Sequence, residues 1–226
     1  MGSLSSLRRI LLVRHGECEM NLSVSDKVGG RSDLSPLTPK GVQEAIFLGK
    51  WLEKNGAFDG STPKVYASTA VRASETARLL LEQLMVKDAA VVAHSESLLE
   101  LSQGAWEGAL RGECYSAAVL AEIESDPWNF KAPGGESQRA VEERMCDFVH
   151  THVLPCAAPG GSPVVVVTHG LAIKCFLRNV MDSAPRMTWK IAMGNTSITE
   201  VGYMDGDGGA KGWHVVCVNK MQHLQQ

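Results

Sequence analysis

The sequence predicts an α/β fold: a three-layer α/β/α sandwich around a mostly parallel sheet, with a small cap excursion over one edge. Three observations carry that prediction. Short apolar runs of strand length, RILLV at 9–13 and VVVV at 164–167, lie far apart in the chain. Segments with helical apolar spacing alternate with these and with weaker strand candidates, the pattern of βαβ units. No internal repeat or linker divides the 226 residues, so they are expected to form a single domain, 1–226, with its cap region at about 101–137.

Taken in order, the first run is a strand that ends at Arg14-His15-Gly16, and a loop rich in Gly, Ser, Asp and Pro follows to Pro39. Thr38 caps the next helix, with Pro39 at the first helical position, where its missing N–H is harmless. Ala45, Leu48 and Leu52 give this helix its apolar face, and Asn55-Gly56 ends it. KVYA at 64–67 reads as a second strand, followed by Ser68-Thr69 and a helix from about 70 to 85 with Leu79, Leu80 and Leu84 on its apolar side. Residues 91–93 are a third strand candidate, and 98–137 read as irregular. A helix is expected over 137–154. The VVVV strand then ends at Thr168-His169-Gly170, and a helix over 171–180 follows. Late strands are expected at 198–203 and 213–218, joined by the turn-rich stretch 205–212.

Composition narrows the function classes. With 22 basic and 25 acidic residues the net charge is −3, which gives no electrostatic case for nucleic-acid binding. No apolar run approaches the roughly 18 residues of a membrane span. Six cysteines (Cys18, Cys114, Cys146, Cys156, Cys175, Cys217) are scattered, with no C-x-x-C pair, and read as reduced thiols of a cytoplasmic protein. The opening Met1-Gly2-Ser3-Leu4-Ser5-Ser6 matches an N-myristoylation pattern at Gly2, although a short start tail has the same form. His150 and His152, two apart on a helix, do not share a face as metal ligands would, and the Asp205-Gly206-Asp207-Gly208 turn lacks the later Glu of a calcium loop. Neither a metal nor a cofactor is expected.

The chemistry collects at strand ends. In open α/β sheets ligands sit beyond the carboxyl ends of the strands. Two strands here each deliver a histidine followed by a glycine, at His15-Gly16 and His169-Gly170. The KVYA strand delivers Ser68, Thr69 and, one helical turn on, Arg72 to the same edge, where Arg14 and Arg72 would meet the two histidines. Guanidinium forks match phosphate oxygens. A histidine between two cations resists protonation and stays nucleophilic near neutral pH. A lone Arg-His-Gly is a weak signal; the joint placement carries the inference. His94, His214 and His223 have no such partners in sequence.

At this point the chain resembles the histidine phosphatase superfamily, the phosphoglycerate-mutase-like fold. The resemblance runs from about 9 to 201 through LLVRHGECEMN (11–21), GGRSDLSPLTPKGVQEA (29–45), VYASTAVRASETA (65–77), LLELSQGAWEG (98–108), APGGES (132–137) and VVVTHG (165–170). It implies that His15 is the nucleophile that becomes phosphohistidine. Arg14, Arg72 and His169 would bind the phosphoryl group, and Asn21 would touch it. By the family spacing Glu100 would be the proton donor, with Glu96 and Glu107 its nearest competitors. Gly30, Arg31 and Gly170 are expected to contribute to substrate binding.

The family holds phosphatases and mutases, and mutases carry an adjacent arginine pair in a longer cap. Residues 108–136 have only Arg111 and Lys131 as basic residues against Glu113, Glu122, Glu124, Asp126 and Glu136. That composition favours hydrolysis of a small phosphomonoester, with no preference for a carboxylate beside the phosphoester. The alternatives are a 2,3-bisphosphoglycerate-dependent phosphoglycerate mutase and a non-catalytic phosphate-binding interaction domain. Arg31, Arg139 or Arg178 could replace the missing pair, and Trp106, Trp128, Phe130 and Met20 could line the pocket or simply pack the cap.

Overall fold

A computed structural model describes residues 6–23, 26–58, 62–84, 92–206 and 211–225. Gly2 and Val91 lie outside them, as do residues 207–210 of the 205–212 turn. Six strands form one sheet: β1 (Arg8–Arg14), β2 (Val65–Ser68), β3 (Val92–Ser95), β4 (Val164–Thr168), β5 (Ile198–Met204) and β6 (Gly212–Lys220), in the order β3-β2-β4-β1-β5-β6. Three of the five pairings are parallel; β5 runs antiparallel to β1, and β6 antiparallel to β5. The antiparallel pair is what a short turn permits, since a parallel return needs a crossover of a dozen or more residues.

Alternation along the strands builds the three layers. Ile10, Leu12, Val164 and Val166 face one side, packed with Val141, Met145, Ile173 and Phe176. Those last four belong to the helices α6 (Gln138–Phe148) and α7 (Gly170–Val180). Leu11, Val13, Val165 and Val167 face the other side, against Leu48, Leu52, Ala73, Ala77 and Leu80. Here the helices are α2 (Pro39–Lys54) and α3 (Val71–Gln83); the short α1 (Glu19–Ser23) precedes them. Burial on both faces is why the runs read as continuous hydrophobic stretches.

The predicted Thr38 cap forms, and Ser137 caps a second helix. Thr38 Oγ1 accepts from the Gly41 N–H at 3.1 Å, with Pro39 opening α2, and Gly56 follows the helix at φ +58°. Ser137 Oγ accepts from the Ala140 N–H at 3.2 Å. Two expectations differ. The helix predicted over 137–154 stays α-helical only to Phe148, then widens into one π turn (Val149–Val153) and a tight turn (Leu154–Cys156). Pro155 has no N–H to extend the ladder. The stretch expected to be irregular contains two helices, α4 (Arg111–Cys114) and α5 (Ala117–Ser125), the latter capped by Ser116 Oγ on the Val119 N–H at 3.3 Å. Among the described residues no helix is long and apolar enough to cross a membrane.

Candidate active site

The sheet order decides the site. β4 lies between β1 and β2, with Arg14 opposite Thr168, so their carboxyl ends put His15, His169 and Ser68 side by side. The His15 and His169 rings lie 5.1 Å apart. Arg72, fully buried in the first turn of α3, reaches between them: its Nε donates to His15 Nε2 at 3.2 Å and its Nη2 to His169 Nδ1 at 3.1 Å. Its Nη1 donates to the Ser32 carbonyl at 2.9 Å.

These bonds fix both tautomers. An arginine only donates, so each ring nitrogen facing Arg72 must carry a lone pair. The proton of His15 then sits on Nδ1, 2.7 Å from the Gly16 carbonyl, and that of His169 on Nε2, 2.8 Å from Ser68 Oγ. Burial holds both histidines well below the ordinary imidazole range, and charge opposes protonation further: Arg72 and then Arg14 for His15, and for His169 the cost of charging both rings together and then Arg72. Desolvation also lowers the guanidinium pKa of Arg14 and Arg72.

Arg14 donates from Nη1 to the Met193 carbonyl, while its buried Nε has no hydrogen-bond partner among the described residues. Gly170 packs against that nitrogen: a Cβ there would come within 3.5 Å of it. Unpaired buried donors are uncommon in folded proteins, and this one lies beside the two histidines, where an anion would satisfy it.

Glu100 sits at the start of α7. Its Oε1 accepts from the N–H groups of Leu101 (2.9 Å) and Ala172 (3.2 Å), and its Oε2 from Leu171 (3.1 Å). It thereby caps the helix that follows His169 and Gly170. The competitors fall elsewhere. Glu96 is exposed. Glu107 accepts from the N–H groups of Arg31, Ser32 and Gln103 and from Ser102 Oγ, clamping the 30–32 loop to the cap. Gly30 serves that clamp: it has φ +134°, and a Cβ there would lie 2.6 Å from the Glu107 carboxylate. Arg31, expected to face substrate, is turned to Glu136 at 3.2 Å. Asn21 Oδ1 accepts from the Cys18 N–H and thiol and from Asn195 Nδ2.

Several contributors escaped the sequence reading. Asn195 Nδ2 holds the His15 carbonyl at 3.0 Å, and Thr196, at φ +52°, donates its N–H to the same oxygen at 3.3 Å. The turn-forming run Gly194-Asn195-Thr196-Ser197 was the available signal. Arg144 binds the Ser97 and Glu100 carbonyls and both oxygens of Glu136. On the helix surface it had no distinguishing pattern. Thr76 relays the α3 backbone to the loop after His15, accepting from the Gly16 N–H at 3.0 Å and donating to the Arg72 carbonyl at 2.6 Å. Of the aromatic candidates, Phe130 lines a cavity under the cap, whereas Trp106 packs on Tyr115 and Phe130 and Trp128 on the Arg178 guanidinium.

Two neutral, buried imidazoles bridged by a guanidinium at the carboxyl edge of an α/β sheet define a histidine-centred phosphoryl-handling class of enzyme. The chain belongs to the histidine phosphatase superfamily (branch 1), whose family model matches residues 10–216. It is an enzyme of the histidine phosphatase type. It is similar to a mycobacterial glucosyl-3-phosphoglycerate phosphatase, with TM-score 0.75 and 26% identity over 95% of this chain and 99% of that one. Similar too is a phosphoserine phosphatase from Entamoeba histolytica in complex with phosphoserine, with TM-score 0.74 and 25% identity over 96% and 98% of the two chains. A probable phosphoglycerate mutase, GpmB, of Salmonella paratyphi C is 26% identical over 221 residues, 96% of this chain and 94% of its own.

Proposed function

We propose that the chain is a metal-independent phosphomonoesterase acting through a phosphohistidine on His15, with a small phosphorylated metabolite or a phosphorylated side chain as substrate. The observation that carries this reading is the state of His15. Its proton is held on Nδ1 by the Gly16 carbonyl, and its Nε2 lone pair is directed at Arg72. Substrate phosphate displaces that hydrogen bond, taking Arg72 and the unpaired Nε of Arg14 as its own donors. The His15 Nε2 lone pair then forms the N–P bond as the ester P–O bond breaks. His169 trades its Arg72 hydrogen bond at Nδ1 for the arriving dianion, takes up a proton there and so holds the other side of the phosphoryl group.

Glu100 supplies the proton to the leaving oxygen. To do so it exchanges its three backbone bonds for a proton and the substrate oxygen, while Arg144 keeps its main chain fixed through the carbonyl at 3.1 Å. The resulting carboxylate takes a proton from water as that water attacks phosphorus, which returns phosphate and neutral His15.

Transfer to water rather than to a second substrate oxygen is supported by the arginines that might have replaced the missing cap pair. Arg31 pairs with Glu136, Arg139 with Glu143 at 3.0 Å, and Arg178 with Glu142 and the Trp128 ring. The name of the Salmonella relative favours the mutase reading instead. One experiment separates the two. Purified protein, with a chelator present, is expected to release inorganic phosphate and to carry acid-labile phosphate; His15→Ala is expected to abolish both. Substantial turnover in the variant would refute the nucleophile. Bisphosphoglycerate-stimulated interconversion of 2- and 3-phosphoglycerate outpacing phosphate release would refute hydrolysis.

A further inference from the structure

Beneath the cap lies a cavity of about 430 Å³ that the phosphoryl chemistry does not use. It lies next to the residues that hold Glu100. Leu101 and Leu171, whose N–H groups hold the Glu100 carboxylate, both line it. On the phosphatase reading, a leaving group whose oxygen meets Glu100 extends past these two residues toward this space. The volume falls in the range of roughly 300–1,000 Å³ that encloses drug-sized ligands. Much of the wall is apolar, with Phe130 and Trp189 among its members.

Its charge differs from that of the cap as a whole. Of the five acidic residues at 108–136, Glu113, Glu122 and Asp126 are exposed and outside the lining. Glu136 lies between Arg31 and Arg144, and Glu124 lies 3.9 Å from Arg186. The two cations that line the cavity, Arg111 and Lys131, have no carboxylate partner among the described residues; Arg111 only rests on the Tyr115 ring, 4.6 Å from its centre. The cap is acidic by composition, yet the unpaired charge facing this cavity is positive.

Building on the phosphatase reading, we propose that the substrate is a phosphomonoester of a bulky alcohol, with an apolar body seated under the cap and an acidic group met by Arg111 and Lys131. The expectation from composition, that a carboxylate would bring no advantage, is thereby reversed.

The test compares phosphate release from 2-naphthyl phosphate, 6-carboxy-2-naphthyl phosphate, phosphoserine and 3-phosphoglycerate. Both naphthyl esters are expected to exceed the two small acids in kcat/KM. The carboxylated ester should exceed the uncharged one by about tenfold, the equivalent of one modest charge contact. Arg111→Gln and Lys131→Gln should each reduce that ratio several-fold. Binding of 6-hydroxy-2-naphthoate to His15→Ala protein, read by calorimetry, should weaken in parallel with the same two substitutions. Phosphoserine or 3-phosphoglycerate as the best substrate, or a ratio and a binding constant that both ignore Arg111 and Lys131, would overturn the inference. Retained naphthoate binding without hydrolysis of any ester would uphold the cavity assignment and sink the phosphatase reading alone.

Discussion

Lowering the pH from 7.5 to 5.5 tests the charge state on which the chemistry depends. His15 and His169 are fully buried, and both are held well below the ordinary imidazole range, first by burial and then by neighbouring positive charge. In the unfolded chain each returns to a pKa near 6.5. Between the depressed native value and 6.5 the unfolded state binds more protons, so stability is complete above pH 6.5 and falls as the pH drops below it. At pH 5.5 an unfolded histidine is about tenfold more protonated than neutral, which favours unfolding by about 1.3 kcal/mol relative to pH 7.5 for each histidine that stays neutral in the fold. The pair contributes about 2.6 kcal/mol by the same reckoning. Urea denaturation at the two pH values reads this sum together with the share of His223, whose buried imidazole is held down at about 4, and the same measurement on His15→Gln and His169→Gln isolates the share of each. Each variant should show a pH-dependent loss smaller than wild type by about 1.3 kcal/mol, whatever its stability at pH 7.5. A variant with an unchanged pH-dependent loss, or imidazole NMR shifts of a protonated His15 at pH 6.5, would refute the neutral-nucleophile argument.

Glu100→Gln keeps the size of the side chain but removes the proton and turns one of the two acceptor oxygens into a donor facing backbone N–H, so kcat should fall about 10²–10⁴-fold on alkyl phosphates, and much less on p-nitrophenyl phosphate, whose leaving group needs no acid; equal losses on both would remove Glu100 from that role. Glu107→Ala would strand four donors, on Arg31, Ser32, Gln103 and Ser102, and should cost about 2 kcal/mol in urea denaturation while loosening the 30–32 loop. A change below about 0.5 kcal/mol would show that the clamp does not hold the cap.

The fold was legible where residues obey one period. The VVVV and RILLV runs alternate faces in a sheet covered on both sides, so they stand out from any surrounding pattern. Thr38-Pro39 and Ser137 mark helix starts because their side chains do something specific to the backbone there. The cap was less legible. In α5 no residue is fully buried, so the helix shows no clear apolar stripe, and only the Ser116 cap betrays it.

The site divided along a different line. Residues at strand ends could be placed because topology does the placing: once β1, β4 and β2 are neighbours, His15, His169 and Arg72 have nowhere else to be. Loop and helix-surface residues have no such constraint. Arg31 pairs through Nη2 with Glu136 and leaves its buried Nε without a partner among the described residues, while Arg144, unremarkable in sequence, touches Glu136 and the backbone of Glu100. Charge counting is blind for the same reason. Whether a carboxylate repels a ligand depends on whether an arginine already holds it, and Glu136 has two. Arg111 and Lys131 matter in the opposite sense: they are a minority in the cap's composition, but among the described residues they have no carboxylate partner, and they face the cavity. A cap's preference among substrates is therefore set by its unpaired charges, and these emerge only when the chain is folded and the pairs can be struck out.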